Sequence, residues 1–128
     1  MKVLPHNEES EKAVFGALIE SSNVRNEIAK KLVETDFYAE GKKNELVPNR
    51  LIFRAITTLM DNGKVVDVPS ITTELDVNMK VLSQIGGVEY IRELIDSHVS
   101  DSNALYHADT IKDLSLSRRL IECLDECV

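Results

Sequence analysis

Residues 103–128 read NALYHADTIKDLSLSRRLIECLDECV, and this stretch decides the fold because it holds a long helical pattern without any Gly or Pro. An α-helix turns about 100° per residue, so side chains three or four residues apart share one side. The apolar side chains fall on two roughly opposite sides, the first formed by Ala104, Ala108 and Ile111 and the second by Leu116, Leu120, Leu124 and Cys127. A helix that changes its apolar side along its length is expected to change its packing partner.

The second apolar side predicts a contact outside the rest of this chain. The first half of the helix can pack on the preceding residues, whereas the second half has no partner left in the sequence. An exposed apolar surface of this kind points to another subunit or to further chain beyond Val128. We predict subunit contact at Leu116, Leu120, Ile121 and Leu124. The alternative is that this side folds back onto the body of the same chain.

Helical periodicity also dominates the residues before this stretch. Apolar side chains recur three or four residues apart, Asn7 and Asp67 can act as N-caps, and Gly63 can stop a helix. These signals predict helices after Asn7, over Asn23–Val33, over Asn49–Met60, after Asp67, through Val81, Leu82 and Ile85, and over Val88–Ile95. The helix over Asn49–Met60 is the most apolar and is expected to be the central one.

The predicted architecture is all-α. A small multi-helix globular head covers residues 1–99, and residues 100–128 form a long projecting helix. Residues 39–49 are expected to be an exposed loop and residues 97–102 a polar linker. Gly16 lies inside the first predicted helix, where Gly costs about 1 kcal/mol relative to Ala. It is either a tolerated flaw or the point where a neighbouring helix approaches closely.

Composition and charge exclude several classes of protein. Hydrophobic residues make up 43% and charged residues 29% of the 128 residues, which is typical of one globular domain. No apolar run approaches the ~20 residues of a membrane span, the opening residues do not resemble a secretory signal, and two cysteines are too few for a disulfide scaffold. We therefore expect a cytoplasmic protein. The formal net charge of −7, without a basic stripe, argues against direct DNA binding and favours a protein partner.

The sequence shows no site for catalysis or for a metal. Gly63-Lys64 is followed by Val65, so the phosphate-binding pattern GxxxxGK[ST] fails. Cys123 and Cys127 lie one helical turn apart without a further ligand nearby, and we interpret them as small, half-buried hydrophobic residues rather than metal ligands. The Asp and Glu side chains are expected on solvated faces, with no pair suited to act as general acid and base. We predict no enzyme activity, cofactor or metal for this chain.

Short motifs in order along the chain point to a family. They are Pro5-His6-Asn7, Glu11 with residues 13–19 (AVFGALI), Asp36-Phe37-Tyr38, residues 49–55 (NRLIFRA), Asp67 with Leu75, residues 85–91 (IGGVEYI), residues 103–108 (NALYHA), residues 111–113 (IKD) and residues 118–121 (RRLI). Together they cover nearly the whole chain. In this order they resemble the N-terminal domain of the bacterial replicative DNA helicases, the DnaB family.

The resemblance implies an all-helical head followed by a helical hairpin, of which this chain would contain the first arm. In that family the hairpins pair, and six domains form a collar of three dimers. The collar stacks on a ring of ATPase domains, and primase and a helicase loader are the expected partners. ATP and Mg would bind only in the ATPase domain of the parent protein, because its Walker residues have no counterpart in residues 1–128.

Two features depart from the family pattern. The stretch between Tyr38 and Asn49 is several residues longer than the usual loop, and Asn49 stands where His is common. An alternative function is that of a stand-alone helical adaptor or regulator that binds a replicative helicase. The gene beyond Val128 distinguishes the two, since a helicase would continue into a second hairpin helix, a linker and a GxxxxGK[ST] loop.

Overall fold

A computed structural model describes residues 4–39 and 46–126 of the chain. Within these ranges every regular element is helical, so the all-α prediction is confirmed. The α-helices are α1 (Glu8–Glu20), α2 (Ser22–Lys31), α3 (Pro48–Asp61), α4 (Val68–Thr73), α5 (Gly87–Asp96) and α6 (Asp101–Glu126). Short 3-10 turns lie at Glu34–Asp36 and Leu82–Ile85, and α4 continues into a π-helical turn at Glu74–Asn78.

The central helix of the head is α1, and the prediction that the helix over Asn49–Met60 would be central is wrong. Helices α2, α3, α5 and α6 all pack against α1. Every residue from Ala13 to Ile19 is buried. Small residues such as Ala13, Gly16 and Ala17 let neighbouring helices come close on several sides, whereas α3 keeps one polar side. The number of apolar residues in each helix therefore did not predict which helix is central.

Gly16 marks a close approach between α1 and the end of α5. A Cβ atom placed on Gly16 would lie 2.7 Å from the Cα of His98 and 2.8 Å from the carbonyl oxygen of Leu94. Real Cβ atoms do not approach backbone atoms so closely, and the backbone cannot swing aside as a flexible side chain would. Of the two interpretations of Gly16, the close approach of a neighbour is therefore confirmed.

The predicted N-caps are present. The side chain of Asn7 accepts the N–H of Ser10 at 3.0 Å, and the side chain of Asp67 accepts the N–H of Ser70 at 2.9 Å. The acidic first turn of α1 also complements the positive end of the helix. Gly86 adopts φ of +104° and closes the short turn at Leu82–Ile85, as expected for a residue without a Cβ.

Several boundaries differ from the predictions. Helix α2 ends at Lys31 because Leu32 is already extended, so it is shorter than predicted. Helix α3 starts at Pro48, inside the predicted loop 39–49, since Pro suits the first turn of a helix. Residues 40–45 of that loop lie outside the described residues. Helix α6 begins at Asp101, where the Ser100 hydroxyl accepts the N–H of Asn103 at 3.3 Å, so the linker is also shorter.

The core is aliphatic with a small aromatic centre. Phe37 is fully buried, with its ring centroid 4.9 Å from that of Phe15 and 5.2 Å from that of Phe53. The first half of α6 joins the same core through Ala104, Ala108 and Ile111. The division at residue 99 stays a prediction. No helix among the described residues has the length and apolarity needed to cross a membrane.

Candidate interaction surface on the C-terminal helix

The predicted contact residues of α6 lie on the surface of the head-and-helix unit. Leu116, Leu120 and Leu124 are 50%, 61% and 58% exposed, and Ile121 is half-buried. Their spacing of four residues puts the three leucines along one side of α6, which we call the leucine stripe. The described part of the chain does not fold back over this stripe, contrary to the alternative weighed from the sequence. A role in subunit contact remains a prediction.

The opposite side of α6 holds the helix on the head. After Ala104, Ala108 and Ile111, this packed side continues with Ser115 and Arg118, which are 1% and 7% exposed. Beyond Arg118 no described α6 side chain is buried. The apolar residues of α6 change sides, as predicted. The side that packs on the head stays the same along the helix, but its residues become polar. The second half of α6 therefore leaves the head with its leucines facing outward.

The polar part of the packed side converges on one residue, Asp36. Its carboxylate accepts the hydroxyl of Ser115 at 2.8 Å, the ammonium of Lys112 at 3.1 Å and the guanidinium of Arg119 at 2.9 Å. The N–H of Val33 completes the set at 2.7 Å. Charge-assisted bonds of this kind are shorter and stronger than neutral ones. We call this arrangement the Asp36 hub.

Arg118 extends the hub to the N-terminal segment. Its guanidinium donates to the carbonyl of Asp36 at 2.6 Å and to the carbonyl of Pro5 at 2.9 Å. It also lies 5.5 Å from the ring centroid of Tyr38, which stacks on His6 with centroids 3.7 Å apart. One side chain of α6 thus ties the start of the chain to the turn at Glu34–Asp36.

The expectation that the acidic side chains lie on solvated faces is wrong for three of them. Asp36, Glu11 and Glu74 are buried. A buried carboxylate is tolerated only when donors surround it, and the side-chain donors of Asp36 come from residues 76 to 83 positions away. The sequence did contain a signal that Ser115 and Arg118 are buried, because they continue the spacing of Ala108 and Ile111 on the packed side of α6.

Acid should weaken the fold through Asp36. Burial opposes ionisation of Asp36, but the N–H of Val33, the hydroxyl of Ser115 and the ammonium of Lys112 hold its pKa below the ordinary 3.8. Because the folded-state pKa is the lower one, the stabilisation is complete above the unfolded pKa and is lost as pH falls through the folded pKa. We expect the free energy of unfolding, measured by urea denaturation, to fall between pH 6 and about pH 2. The fall should be smaller in Asp36→Asn. An identical pH profile in both proteins would contradict this account of the hub.

A cleft of ≈ 300 Å³ lies beside the hub and contains a second buried carboxylate. Glu11 accepts the side-chain amide of Asn49 at 2.8 Å and the N–H of Tyr38 at 3.0 Å. Burial raises the pKa of Glu11, although these two donors oppose the shift. The hydroxyl of Tyr90 donates to Asn49, and burial together with the nearby Glu11 raises the pKa of Tyr90 to about 12. These groups satisfy one another, which is typical of a structural network.

No chemical site emerges from the other candidate residues. Cys123 is an exposed free thiol, and Cys127 lies outside the described residues. Cys123 is therefore not the half-buried residue expected from the sequence. His107 shares a hydrogen bond of 2.8 Å with Ser10 and so has a structural partner. Within residues 4–39 and 46–126, no three His, Cys, Asp or Glu side chains are grouped so that they could hold a metal ion.

Comparison with known proteins shows which kind of domain this chain is similar to. The family model of the DnaB-like helicase N terminal domain matches residues 3–113. The chain is 31% identical to the replicative DNA helicase DnaC of Bacillus subtilis over 117 residues, which are 91% of this chain and 24% of that protein. It is 32% identical to the replicative DNA helicase DnaB of Geobacillus stearothermophilus over 120 residues, which are 94% of this chain and 25% of that protein. The chain thus spans about a quarter of the length of these curated relatives.

A solved structure has the same fold. The crystal structure of the N-terminal domain of DnaB helicase from Mycobacterium tuberculosis superposes with a TM-score of 0.85 at 27% sequence identity. The match covers 97% of this chain and 81% of that one. The helical arrangement described above, including most of α6, is therefore shared with that domain.

Proposed function

Since the chain belongs to the family of DnaB-like helicase N-terminal domains, we propose that it assembles and docks a hexameric, ATP-dependent replicative DNA helicase without catalysing a reaction itself. The observation that carries the proposal is the leucine stripe, exposed along the outer side of α6. Isolated exposed leucines are normal on a protein surface, but three in line on a projecting helix form an apolar patch. We expect another protein surface to cover this patch in the assembled helicase.

The occupant that we propose for the stripe is α6 of a second copy of this chain. Side chains four residues apart form the ridges with which one helix packs into the grooves of another, and the stripe supplies one such ridge. A standard interface buries ~1,600 Å², and a few central residues contribute most of its energy. Leu116, Leu120, Ile121 and Leu124 are our candidates for those residues. Paired domains would then form the dimers of a six-membered collar, as the family resemblance implies.

Three parts of the proposal rest on the family alone. Primase and a helicase loader are the proposed partners of the assembled collar, in the primosome that replicates DNA in the cytoplasm. ATP and Mg are assigned to the ATPase domain of the parent helicase, and no cofactor to this domain. No residue of the described surface is assigned to either partner. Titration calorimetry with the purified primase of the same organism would test that contact, and an absence of binding to the assembled helicase would contradict it.

The exposed thiol of Cys123 offers a direct test of pairing, because it neighbours Leu120 and Leu124 on α6. In a Cys127→Ser background, a short bismaleimide should join two copies through Cys123 in high yield, since pairing along the stripe brings the two thiols near each other. The matched control moves the cysteine to an exposed site on the head, with Cys123→Ser and Asp61→Cys in the same background. Equal cross-linking of both proteins on denaturing gels would count against the proposed pairing.

The gene tests the choice between a helicase domain and a stand-alone adaptor. We expect the reading frame to continue beyond Val128 into a second hairpin helix and a GxxxxGK[ST] loop. A stop codon directly after Val128 would favour the adaptor.

A further inference from the structure

We propose that Asp36 is a positioning residue that sets the direction in which α6 leaves the head, and thereby the place of the leucine stripe. The inference rests on the proposed function, because it concerns how the same docking surface is held. Four residues of α6, spread over two helical turns, bond to this one residue: Lys112, Ser115, Arg118 and Arg119. Asp36 itself is completely buried.

The apolar contacts of α6 alone are poorly suited to fix its direction. The buried ones are Ala104, Ala108 and Ile111, with Leu105 partly buried beside them, and all four lie in the first half of the helix. Hydrophobic contact is non-directional, so such a surface fixes the distance between helices better than their rotation and tilt. Hydrogen bonds to a carboxylate require both distance and angle. His107 and Asp109 also bond to the head, but both lie in the first half of α6. The hub therefore supplies a directional constraint further along, at the point where α6 departs.

The support under Asp36 is rigid. The N–H of Val33 binds its carboxylate, and the next residue, Phe37, is anchored between Phe15 and Phe53 in the core. The guanidinium of Arg50 also donates to the carbonyl of Phe37, at 2.9 Å. A change in the tilt of α6 would have to break charged hydrogen bonds inside the protein, where the freed carboxylate would lack water.

A small change in the tilt of α6 at the Asp36 hub produces a large displacement of the leucine stripe. Leu124 lies nine residues beyond Ser115, or about 13 Å along the helix axis. A change in tilt of about 20°, comparable to the scatter within one class of helix packing, would move Leu124 by about 4–5 Å. Complementary interfaces are packed as densely as protein interiors, so a displacement of this size would remove the fit between two stripes.

The experiment measures the direction of α6 and pairing separately. Spin labels are attached to Cys123 and to the exposed end of α3 through Asp61→Cys, in a Cys127→Ser background. Pulsed electron resonance then gives the distribution of distances between the labels, with unlabelled chain added in excess so that only pairs within one molecule are recorded. Sedimentation of the same proteins gives their self-association.

We expect Asp36→Ala to broaden or shift the distance distribution by about 4–5 Å, the displacement estimated for a tilt of about 20°. Self-association should weaken about tenfold although the leucines are untouched. The matched control is Leu59→Ala, which leaves a cavity in the core on the side of α4 and should lower stability while the distribution stays narrow. Asp36→Asn, which keeps neutral hydrogen bonds, should restore part of the narrow distribution.

An unchanged distribution in folded Asp36→Ala would overturn the inference. If that variant does not fold, the double variant Lys112→Met/Arg119→Met takes its place, since both side chains are partly exposed and Asp36 keeps Val33 and Ser115. Broadening in the double variant supports the inference, and a distribution equal to the wild type contradicts it. Failure of the proposed function is a distinct result, because the wild-type chain would then not self-associate whatever the labels report.

Discussion

Gly16→Val should destabilise the protein strongly, lowering the free energy of unfolding by about 3 kcal/mol. The new side chain would begin 2.7 Å from the Cα of His98, and the end of α5 would have to move away from the central helix. Two opposing effects determine the change in the free energy of unfolding. A residue with a Cβ is favoured over Gly within a helix by up to about 1 kcal/mol, but the collision with backbone atoms costs more.

Urea denaturation followed by circular dichroism measures this prediction. Glu20→Val is the matched control, because it places the same side chain on an exposed position of the same helix and should change stability by less than about 0.5 kcal/mol. Gly16→Ala should also destabilise the protein, by a smaller amount. If Gly16→Ala stabilises it, as an ordinary helix position would, the close approach described here is not present in solution.

Leu120→Asp should weaken self-association at least about 30-fold, which corresponds to ~2 kcal/mol of binding free energy. The leucine is 61% exposed in the single chain, so the substitution should leave the fold intact. In a paired assembly the same position would be covered, and a carboxylate placed there without a partner would lose its hydration. Leu120→Asp should therefore weaken pairing while the single chain stays folded.

The matched control for Leu120→Asp is Val77→Asp. Val77 is 60% exposed and lies in the π-helical turn of the head, away from α6. Both variants add one negative charge to an exposed apolar position, so a general charge effect would weaken both equally. Sedimentation equilibrium should show weaker association for Leu120→Asp alone, while thermal unfolding of the two variants should be similar. Equal association constants would mean that the stripe is not the contact.

The sequence was sufficient for the features that depend on local rules. Helix starts at Asn7 and Asp67 follow from the capping preference of short polar side chains. The leucine stripe follows from the 3.6-residue period of α6, because residues that share a side do so whatever the rest of the chain adopts. The order of the family motifs correctly indicated the fold, which the comparisons then confirmed.

The features missed from the sequence all join distant parts of the chain. Asp36 meets Ser115 across 79 positions, and Glu11 meets Asn49 across 38. The residues around Asp36 and Glu11 show no local pattern that distinguishes a buried carboxylate from a solvated one. For Asp36 the signal lay on α6, where Ser115 and Arg118 continue the packed side, and it did not say which residue they meet. Gly16 left two interpretations open for the same reason, since the close approach depends on where α5 ends. Apolar content alone likewise pointed to α3 as the central helix, when the small residues of α1 decide the packing.

The most direct test of the central claim is sedimentation velocity of the chain over a wide range of concentrations. If the leucine stripe is built to meet a second copy, the mass per particle should rise from one chain towards two as the concentration increases, and Leu120→Asp should remain at one chain. A single-chain particle at every concentration, for the wild type and the variant alike, would contradict the claim that α6 carries the contact between subunits.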